Sequence, residues 1–144
     1  MKYFQSPDHP RRSGAVSSDE TMPEAHQAQL SSLLLVGPDE VYGRHDLGNF
    51  SSERLAIAID TYDVGGHTNT HEHSEMEQAY YVISGRAMIW VGDEEIEVGP
   101  GGSAYIPLHT THGFRNVGDT PLTVAVISGV LGEDLGSRES LKGI

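Results

Sequence analysis

The sequence predicts an all-β protein, an antiparallel barrel or jelly roll whose interior is lined by side chains. Short apolar stretches alternate with turn signals at the spacing expected of a β-sandwich or barrel. Seventeen glycines suit a tightly turning chain, and apolar residues seldom recur with helical spacing. Such barrels hold one small ligand or ion. The predicted strands are the apolar stretches Leu33–Val36, Leu55–Tyr62, Ala79–Ile83, Ala87–Val91, Glu95–Val98, Ala104–Ile106 and Leu122–Ile127.

Each predicted strand is bounded by residues that break a ladder or adopt unusual dihedral angles. These turn signals are Gly37-Pro38, Gly65-Gly66, Ser84-Gly85, Gly92-Asp93, Gly99 to Gly102, and Gly118 to Pro121.

One domain is expected, because 144 residues with 37% hydrophobic residues suffice for one ordinary core. Residues 1–29 contain Pro7, Pro10 and Pro23 and have almost no apolar periodicity, so they are predicted to form a mobile N-terminal arm. The barrel is predicted over residues 30–131, followed by a C-terminal tail over residues 132–144.

Charge and composition exclude several classes of function. The formal net charge is -12, and no stretch gathers the Lys and Arg needed to bind nucleic acid or an anionic membrane. Without cysteine, the chain has neither disulfides nor thiolate ligands, so a metal would depend on nitrogen and oxygen donors. No segment has the length of a bilayer span or the apolar core of a secretory signal, and a cytoplasmic location is expected.

Histidines are concentrated in one part of the chain, with five of the eight between His67 and His112. One residue separates His71 from His73, so on an extended strand both rings project from the same face. Taken alone, this pair also fits two solvent-facing residues on an edge strand. The other histidines, His9, His26 and His45, lie in segments without neighbouring ligands.

Two spaced patterns support the metal-binding interpretation. Residues Gly65 to Gly85 read G-x5-H-x-H-x4-Q-x6-G, and residues Gly101 to Asn116 read G-x5-P-x4-H-x3-N. These segments resemble the two signature motifs of the cupin superfamily, whose usual forms are G-x5-H-x-H-x3-4-E-x6-G and G-x5-P-x-G-x2-H-x3-N.

The resemblance implies a double-stranded β-helix, or small jelly-roll barrel, with one divalent metal ion in its mouth. By this resemblance, the ligands are His71, His73, His112 and the residue seven positions before Gly85. Three imidazoles and one oxygen donor suit a first-row ion such as Zn, Fe, Mn or Ni, among which the sequence does not choose.

The fourth ligand departs from the usual motif, which has a glutamate. Counting back from Gly85 gives Gln78, whereas counting forward from His73 with three intervening residues gives Glu77. Because side chains alternate between the two faces of a strand, only one of these residues can face the interior. If Gln78 faces inward, Tyr80 also faces inward and Glu77 faces outward. Gln78 is the preferred assignment, and some metal cupins carry glutamine there, including, by resemblance, enzymes that act on unsaturated uronate sugars.

Four residues are candidate general acids or bases: Glu77, Tyr80, His67 and His109. His109 occupies the position where the second motif usually has glycine. It is interpreted either as a surface turn residue or as a proton shuttle at the rim of the metal site. His67 has the same two interpretations. Tyr80 is most simply a core residue, although parity places it beside Gln78.

With Gln78 as ligand, all four donors are neutral and the ion keeps nearly its full double charge. The leading hypothesis is therefore a metal-dependent enzyme that acts on a small oxygen-rich metabolite by Lewis-acid chemistry, as an isomerase, a lyase or a ring-opening enzyme. An Fe(II)-dependent dioxygenase is the alternative, and a non-catalytic module that binds metal or sugar is a further one. The expected partners are a small-molecule substrate and a second copy of the chain, paired through the apolar strand Leu33–Val36.

Overall fold

The computed structural model describes residue 5 and residues 26–39 and 49–131, and apart from the helical Asp39 the regular structure in these ranges is β. This confirms the predicted all-β class. The strands are β1 (His26–Gly37), β2 (Phe50–Ser51), β3 (Leu55–Thr68), β4 (Met76–Ser84), β5 (Ala87–Val91), β6 (Glu94–Val98), β7 (Ser103–Ile106), β8 (His112–Asn116) and β9 (Leu122–Val130).

The strands form one sheet that curls into a nearly closed barrel. Along its main path the order is β6-β5-β8-β3-β9-β4-β7, and β1 pairs with β3 outside this path. All of these pairs are antiparallel, and the short β2 adds a parallel pair at the edge of β1. Strand β3 is central to the fold, since it pairs with β1, β8 and β9.

Side chains alternate between the interior and the outer face, as the period of an extended strand requires. Along β3 the buried positions include Ala58, Asp60 and Tyr62, and along β4 they include Gln78 and Tyr80. The centre of the barrel is apolar and is formed by Tyr62, Tyr80, Val82, Ala87, Ile89, Ile106, Phe114, Leu122, Val124 and Val126.

Two strands extend beyond their predicted boundaries in ways that affect the barrel. Strand β1 begins at His26, four residues before the predicted start of the barrel, because this polar segment pairs with the end of β3. Strand β3 continues through Gly65 and Gly66, which were predicted to form a turn. A side chain at residue 66 would meet the Gln27 carbonyl oxygen at 2.9 Å, so glycine permits close approach of β1 instead.

The sequence does not predict strands β2 and β8. Two other predictions, the N-terminal arm and the C-terminal tail, fall partly or wholly outside the described residues. Of the arm predicted over residues 1–29, residues 1–25 apart from Gln5 lie outside the described residues and residues 26–29 belong to β1; the predicted tail over residues 132–144 also lies outside them. Within the described ranges, no helix has the length and apolar character needed to span a bilayer.

The tight connection between β4 and β5 requires glycine at residue 85. Gly85 has φ of +87°, and a Cβ there would lie 2.7 Å from the carbonyl oxygen of Pro121. Gly101 has nearly the same φ, +86°, but a Cβ there would meet no atom within 4 Å. The two glycines therefore share a dihedral constraint and differ in steric constraint.

We expect Gly101→Ala to lower the free energy of unfolding by about 1 kcal/mol, the cost of a left-handed backbone for alanine. Gly85→Ala should cost about 2 kcal/mol more, because the backbone around Pro121 must also move. Urea denaturation of the metal-free variants measures both values. Equal losses in the two variants would contradict the close packing at residue 85.

Candidate metal centre

The two motif segments meet at a single pair of backbone hydrogen bonds. The His71 N–H donates to the His112 carbonyl oxygen at 3.1 Å, and the His112 N–H donates to the His71 carbonyl oxygen at 2.8 Å. This bridge connects the loop that precedes β4 to the start of β8. Two histidines that are distant in the chain are thereby brought side by side.

A third histidine completes a compact cluster. The ring nitrogens of His71, His73 and His112 that face the cluster all lie within 4.8 Å of one another. Ring centroids are 4.3 Å apart for His71 and His112, 4.9 Å for His71 and His73, and 5.2 Å for His73 and His112. His73 and His112 are buried and His71 is partly buried, so the cluster lies inside the barrel mouth.

Backbone carbonyl groups determine which ring nitrogen carries the proton. The Nδ1 atom of His71 lies 3.0 Å from the Asn69 carbonyl oxygen, and the Nδ1 atom of His112 lies 2.7 Å from that of Thr110. A carbonyl oxygen only accepts, so both Nδ1 atoms must donate, and in the neutral rings the lone pair is on Nε2. This orienting bond is typical of histidines that ligate metals.

Burial keeps these rings neutral. It lowers the pKa of His71 to about 3, with a further decrease from the neighbouring His112 and His73. Burial also lowers the pKa of His112 to about 4, although the hydrogen bond to the Thr110 carbonyl partly opposes this shift. Two ligand nitrogens are thus unprotonated at neutral pH and available to a cation.

Gln78 places an amide oxygen against the cluster. Its Nε2 donates to the Ser128 hydroxyl oxygen at 3.0 Å, and its Oε1 lies 3.0 Å from the Nε2 of His112. Because the Nδ1 of His112 holds the ring proton, the Oε1 and Nε2 atoms both present lone pairs. A cation bound by both atoms would remove this repulsion, so the donor set fits a divalent metal ion.

Glu77, the other candidate for the fourth ligand, lies on the outer face of the barrel. It is exposed, and its Oε1 accepts a hydrogen bond of 2.9 Å from the Tyr105 hydroxyl. That bond raises the pKa of Tyr105. The alternation of β4 therefore directs Gln78 towards the histidines and Glu77 away from them, and Glu77 does not reach the site as ligand or as acid–base group.

The structure brings only one of the other three candidate acid–base residues to the interior. His109 is exposed at a turn with φ of +57°, and only its backbone N–H, bonded to the His73 carbonyl oxygen at 2.8 Å, contacts the site. His67 is on the outer face, where it pairs in register with Arg115 and its Nδ1 donates to the Thr68 carbonyl oxygen. Tyr80 is buried, with its ring centroid 6.1 Å from that of His112.

A small cavity lies directly behind the metal centre. Its volume is about 10 Å³, roughly the space that one water molecule requires. Burial, together with the negative charge of Asp60, raises the pKa of Tyr80 well above its usual range, so this phenol keeps its proton. The cavity is lined by His26, Asp60, Thr68, His71, Gln78, Tyr80, Phe114 and Val126.

Two titratable residues of this lining were not identified from the sequence as site residues. His26 was interpreted as a histidine without neighbouring ligands, yet it is buried and its Nδ1 is 2.8 Å from the Tyr62 hydroxyl oxygen. Asp60 was included in an apolar strand, but it faces inward and is 3% exposed. The Ser32 hydroxyl donates to its Oδ1 at 2.6 Å.

Asp60 has an unusual protonation equilibrium for a carboxyl group. Burial raises its pKa from 3.8 to about 6, and the Ser32 hydrogen bond opposes only part of this shift. Within the described ranges, no Lys or Arg side chain forms an ion pair with it. The folded protein therefore binds this proton more tightly than the unfolded chain does.

We expect the wild-type protein to bind one Zn(II) per chain and His112→Ala to lose it, as measured by elemental analysis after gel filtration. Gln78→Ala should bind Zn(II) at least about tenfold more weakly, because one donor is lost. Glu77→Ala and His109→Ala are matched controls and should bind normally. Unchanged affinity in Gln78→Ala would show that the amide is not a ligand.

Asp60→Asn should stabilise the metal-free protein at pH 7.5 by up to about 3 kcal/mol, because the buried charge is removed. The contribution of Asp60 to the free energy of unfolding is fully present below pH 3.8, where the carboxyl group is protonated in both states, and it is lost as pH rises through the folded pKa of about 6. The difference in the free energy of unfolding between wild type and Asp60→Asn should therefore nearly vanish at pH 4. Urea denaturation at both pH values measures it. Asp63→Asn, at an exposed position of the same strand, is the control, and a difference independent of pH would contradict the buried titration.

Comparison with known proteins agrees with the geometry of the site. The family profile described as "Cupin domain" matches residues 58–128. The chain is 37% identical over 79 residues to the uncharacterized protein MJ1618 of Methanocaldococcus jannaschii, a match that covers 55% of this chain and 63% of that protein. It is 33% identical over 99 residues to the xanthan biosynthesis protein XanB of Xanthomonas campestris pv. campestris, covering 67% of this chain and 20% of that protein.

A solved structure supports the same assignment. The protein TT1209 from Thermus thermophilus is 30% identical to this chain, with a TM-score of 0.54, and the match covers 56% of this chain and 77% of that one. The matched segment runs from within β3 to within β9 and contains both histidine motifs. The chain therefore belongs to the cupin family.

Proposed function

We propose that this protein is a metal-dependent enzyme that acts on a small, oxygen-rich metabolite by isomerisation, elimination or ring opening. The observation that carries the proposal is the convergence of three histidine rings and the Gln78 amide oxygen inside the barrel. All four donors are uncharged. A divalent ion held by them would polarise a carbonyl or hydroxyl group and lower the pKa of its proton.

The side chains around the centre suit such a substrate. Phe114 and Val126 are apolar walls beside the centre, and a low local dielectric strengthens electrostatic interactions inside the barrel. Tyr80 retains its proton at every physiological pH and can donate a hydrogen bond to a substrate oxygen. Two of the proposed ligands, His71 and His112, are oriented by backbone carbonyl groups, and Gln78 is held by the Ser128 hydroxyl.

Similarity to known proteins supports a carbohydrate-type substrate. XanB is described as a protein of xanthan biosynthesis, so its work concerns a polysaccharide. This chain corresponds to one fifth of its length, and the likeness therefore supports the class of substrate rather than a particular reaction. Sugars and uronates offer the adjacent oxygen atoms that a metal ion can bind.

We expect the Zn(II)-loaded protein to catalyse exchange of carbon-bound hydrogen in aldoses, ketoses or uronates under nitrogen. Proton abstraction next to a carbonyl group would incorporate deuterium from D2O, and proton NMR detects it whichever final product forms. His71→Ala, which lacks a ligand, should show no exchange. If the Zn(II)-loaded protein neither exchanges hydrogen in any of these sugars nor converts any of them, the proposed chemistry is wrong.

The same preparation distinguishes the alternatives. Oxygen uptake that requires Fe(II) and a diketone or catechol would favour a dioxygenase, whereas activity with Zn(II) under nitrogen would exclude that reaction. Tight binding of metal and sugar without turnover would favour a binding module. The predicted homodimer stays a prediction, which light scattering tests.

A further inference from the structure

The metal centre has neutral ligands and one buried carboxyl group behind it. Asp60 lies on β3, whereas the ligands lie in the loop before β4, on β4 and on β8, so the topology brings them together from separate strands. Asp60 is the one carboxyl group among the residues that line the interior cavity. Its position does not follow from either histidine motif.

We propose that Asp60 is the acid–base group of this metal centre and exchanges a proton with the substrate through the cavity that it shares with His71 and Gln78. This inference rests on the proposed function and assigns the residue that moves the proton. A general base can act through one intervening water molecule, and the cavity volume of about 10 Å³ accommodates one.

The other groups around the cavity are poorly suited to this role. Tyr80 holds its proton too tightly to act as a base, and His71 and Gln78 would be occupied by the metal. Tyr62 also has a raised pKa, caused by burial and by the charge of Asp60. His26 lies next to Tyr62, with which it shares a hydrogen bond.

Asp60 has few partners for a buried carboxyl group. Its hydrogen bond comes from Ser32, which approaches in register from β1 and contacts Oδ1. Its partner in register on β9 is Val124, an apolar residue. A buried carboxyl group with one neutral partner is a net cost to the fold, so the residue is explained better by chemistry than by stability.

The charges near Asp60 determine how it would respond to the metal. Within the described residues, the titratable side chains that face it or the adjacent centre are His26 from β1, Tyr62 from β3, Tyr80 from β4, and His71, His73 and His112 from the metal site. None of these carries a compensating positive charge when the histidines are neutral. A divalent cation held by residues of the same cavity would favour the carboxylate, the form that acts as a base.

For an isomerisation, the exchange balances without any further reagent. The proton leaves the C–H bond next to the substrate carbonyl group for the intervening water molecule, which passes a proton to the Asp60 carboxylate, and the electron pair of that bond stays on the substrate as an enolate. The protonated carboxyl group then returns the proton to the neighbouring carbon. Asp60 finishes in its starting state.

The test compares wild-type protein, Asp60→Asn and the exposed control Asp63→Asn, each loaded with Zn(II). We expect Asp60→Asn to retain the metal and its fold, by elemental analysis and circular dichroism. Its kcat for deuterium exchange should fall by at least about 100-fold, the lower range for loss of a general base. The decrease of wild-type kcat on the acid side should be absent from its pH profile. Asp63→Asn should behave like the wild type.

A second measurement does not depend on activity. Calorimetric titration of the metal-free proteins with Zn(II) at pH 6, in two buffers of different ionisation enthalpy, counts the protons released on binding. Wild-type protein should release about half a proton more than Asp60→Asn, because the metal lowers the pKa of a half-protonated carboxyl group.

The outcomes separate the two proposals. Full activity in Asp60→Asn would overturn the role of Asp60 and leave the proposed function intact. If wild-type protein binds Zn(II) but converts no substrate, the proposed function fails, and the proton count then decides whether Asp60 is coupled to the metal. Equal proton release in the two proteins would overturn that coupling.

Discussion

The backbone bridge between His71 and His112 is the constraint on which the candidate metal centre depends. It joins two segments that are distant in the chain, and each histidine is then oriented in the same way, by donating its Nδ1 proton to the carbonyl oxygen of the residue two positions earlier. The two carbonyl groups belong to residues just before the paired His71 and His112, so the backbone bridge holds them close to the rings and the Nε2 lone pairs are left free to face the cluster. The geometry needed for a cation is therefore a property of the backbone, which is why a rigid β-barrel is a suitable scaffold for it.

Burial has opposite effects on the pKa values of the two kinds of titratable group in this barrel. It lowers those of His71 and His112 and raises that of Asp60, since in each case the charged form loses hydration. The apolar cluster is the source of this environment. Phe114 packs edge-on against Tyr80 with centroids 5.0 Å apart, and Tyr80 in turn borders the metal centre. The core that stabilises the fold also makes the histidines good ligands and Asp60 a weak acid.

The sequence predicts the barrel well because most strands are apolar, alternating and bounded by glycine or proline. It fails where a strand lacks that signature. Strand β8 contains a histidine, a glycine, an arginine and an asparagine, so its pairing with β5 and β3 depends on partners that a local pattern cannot reveal. The histidine cluster could be anticipated from motif spacing, and strand parity separated Gln78 from Glu77. Asp60 was missed although a signal existed: it shares the parity of Ala56 and Ala58 in β3, and those small apolar residues face the interior.

The choice of glutamine over glutamate at residue 78 has consequences for the whole interior. A glutamate there would line the same cavity as Asp60, and two carboxyl groups so placed repel each other, so that one of them would hold its proton at neutral pH. Glutamine avoids that conflict and donates to Ser128 through its amide nitrogen. The cavity then contains a single carboxyl group that is not itself a ligand. A cation bound by neutral donors would keep its polarising power, while Asp60 would balance part of its charge from across the cavity and stay available to a proton.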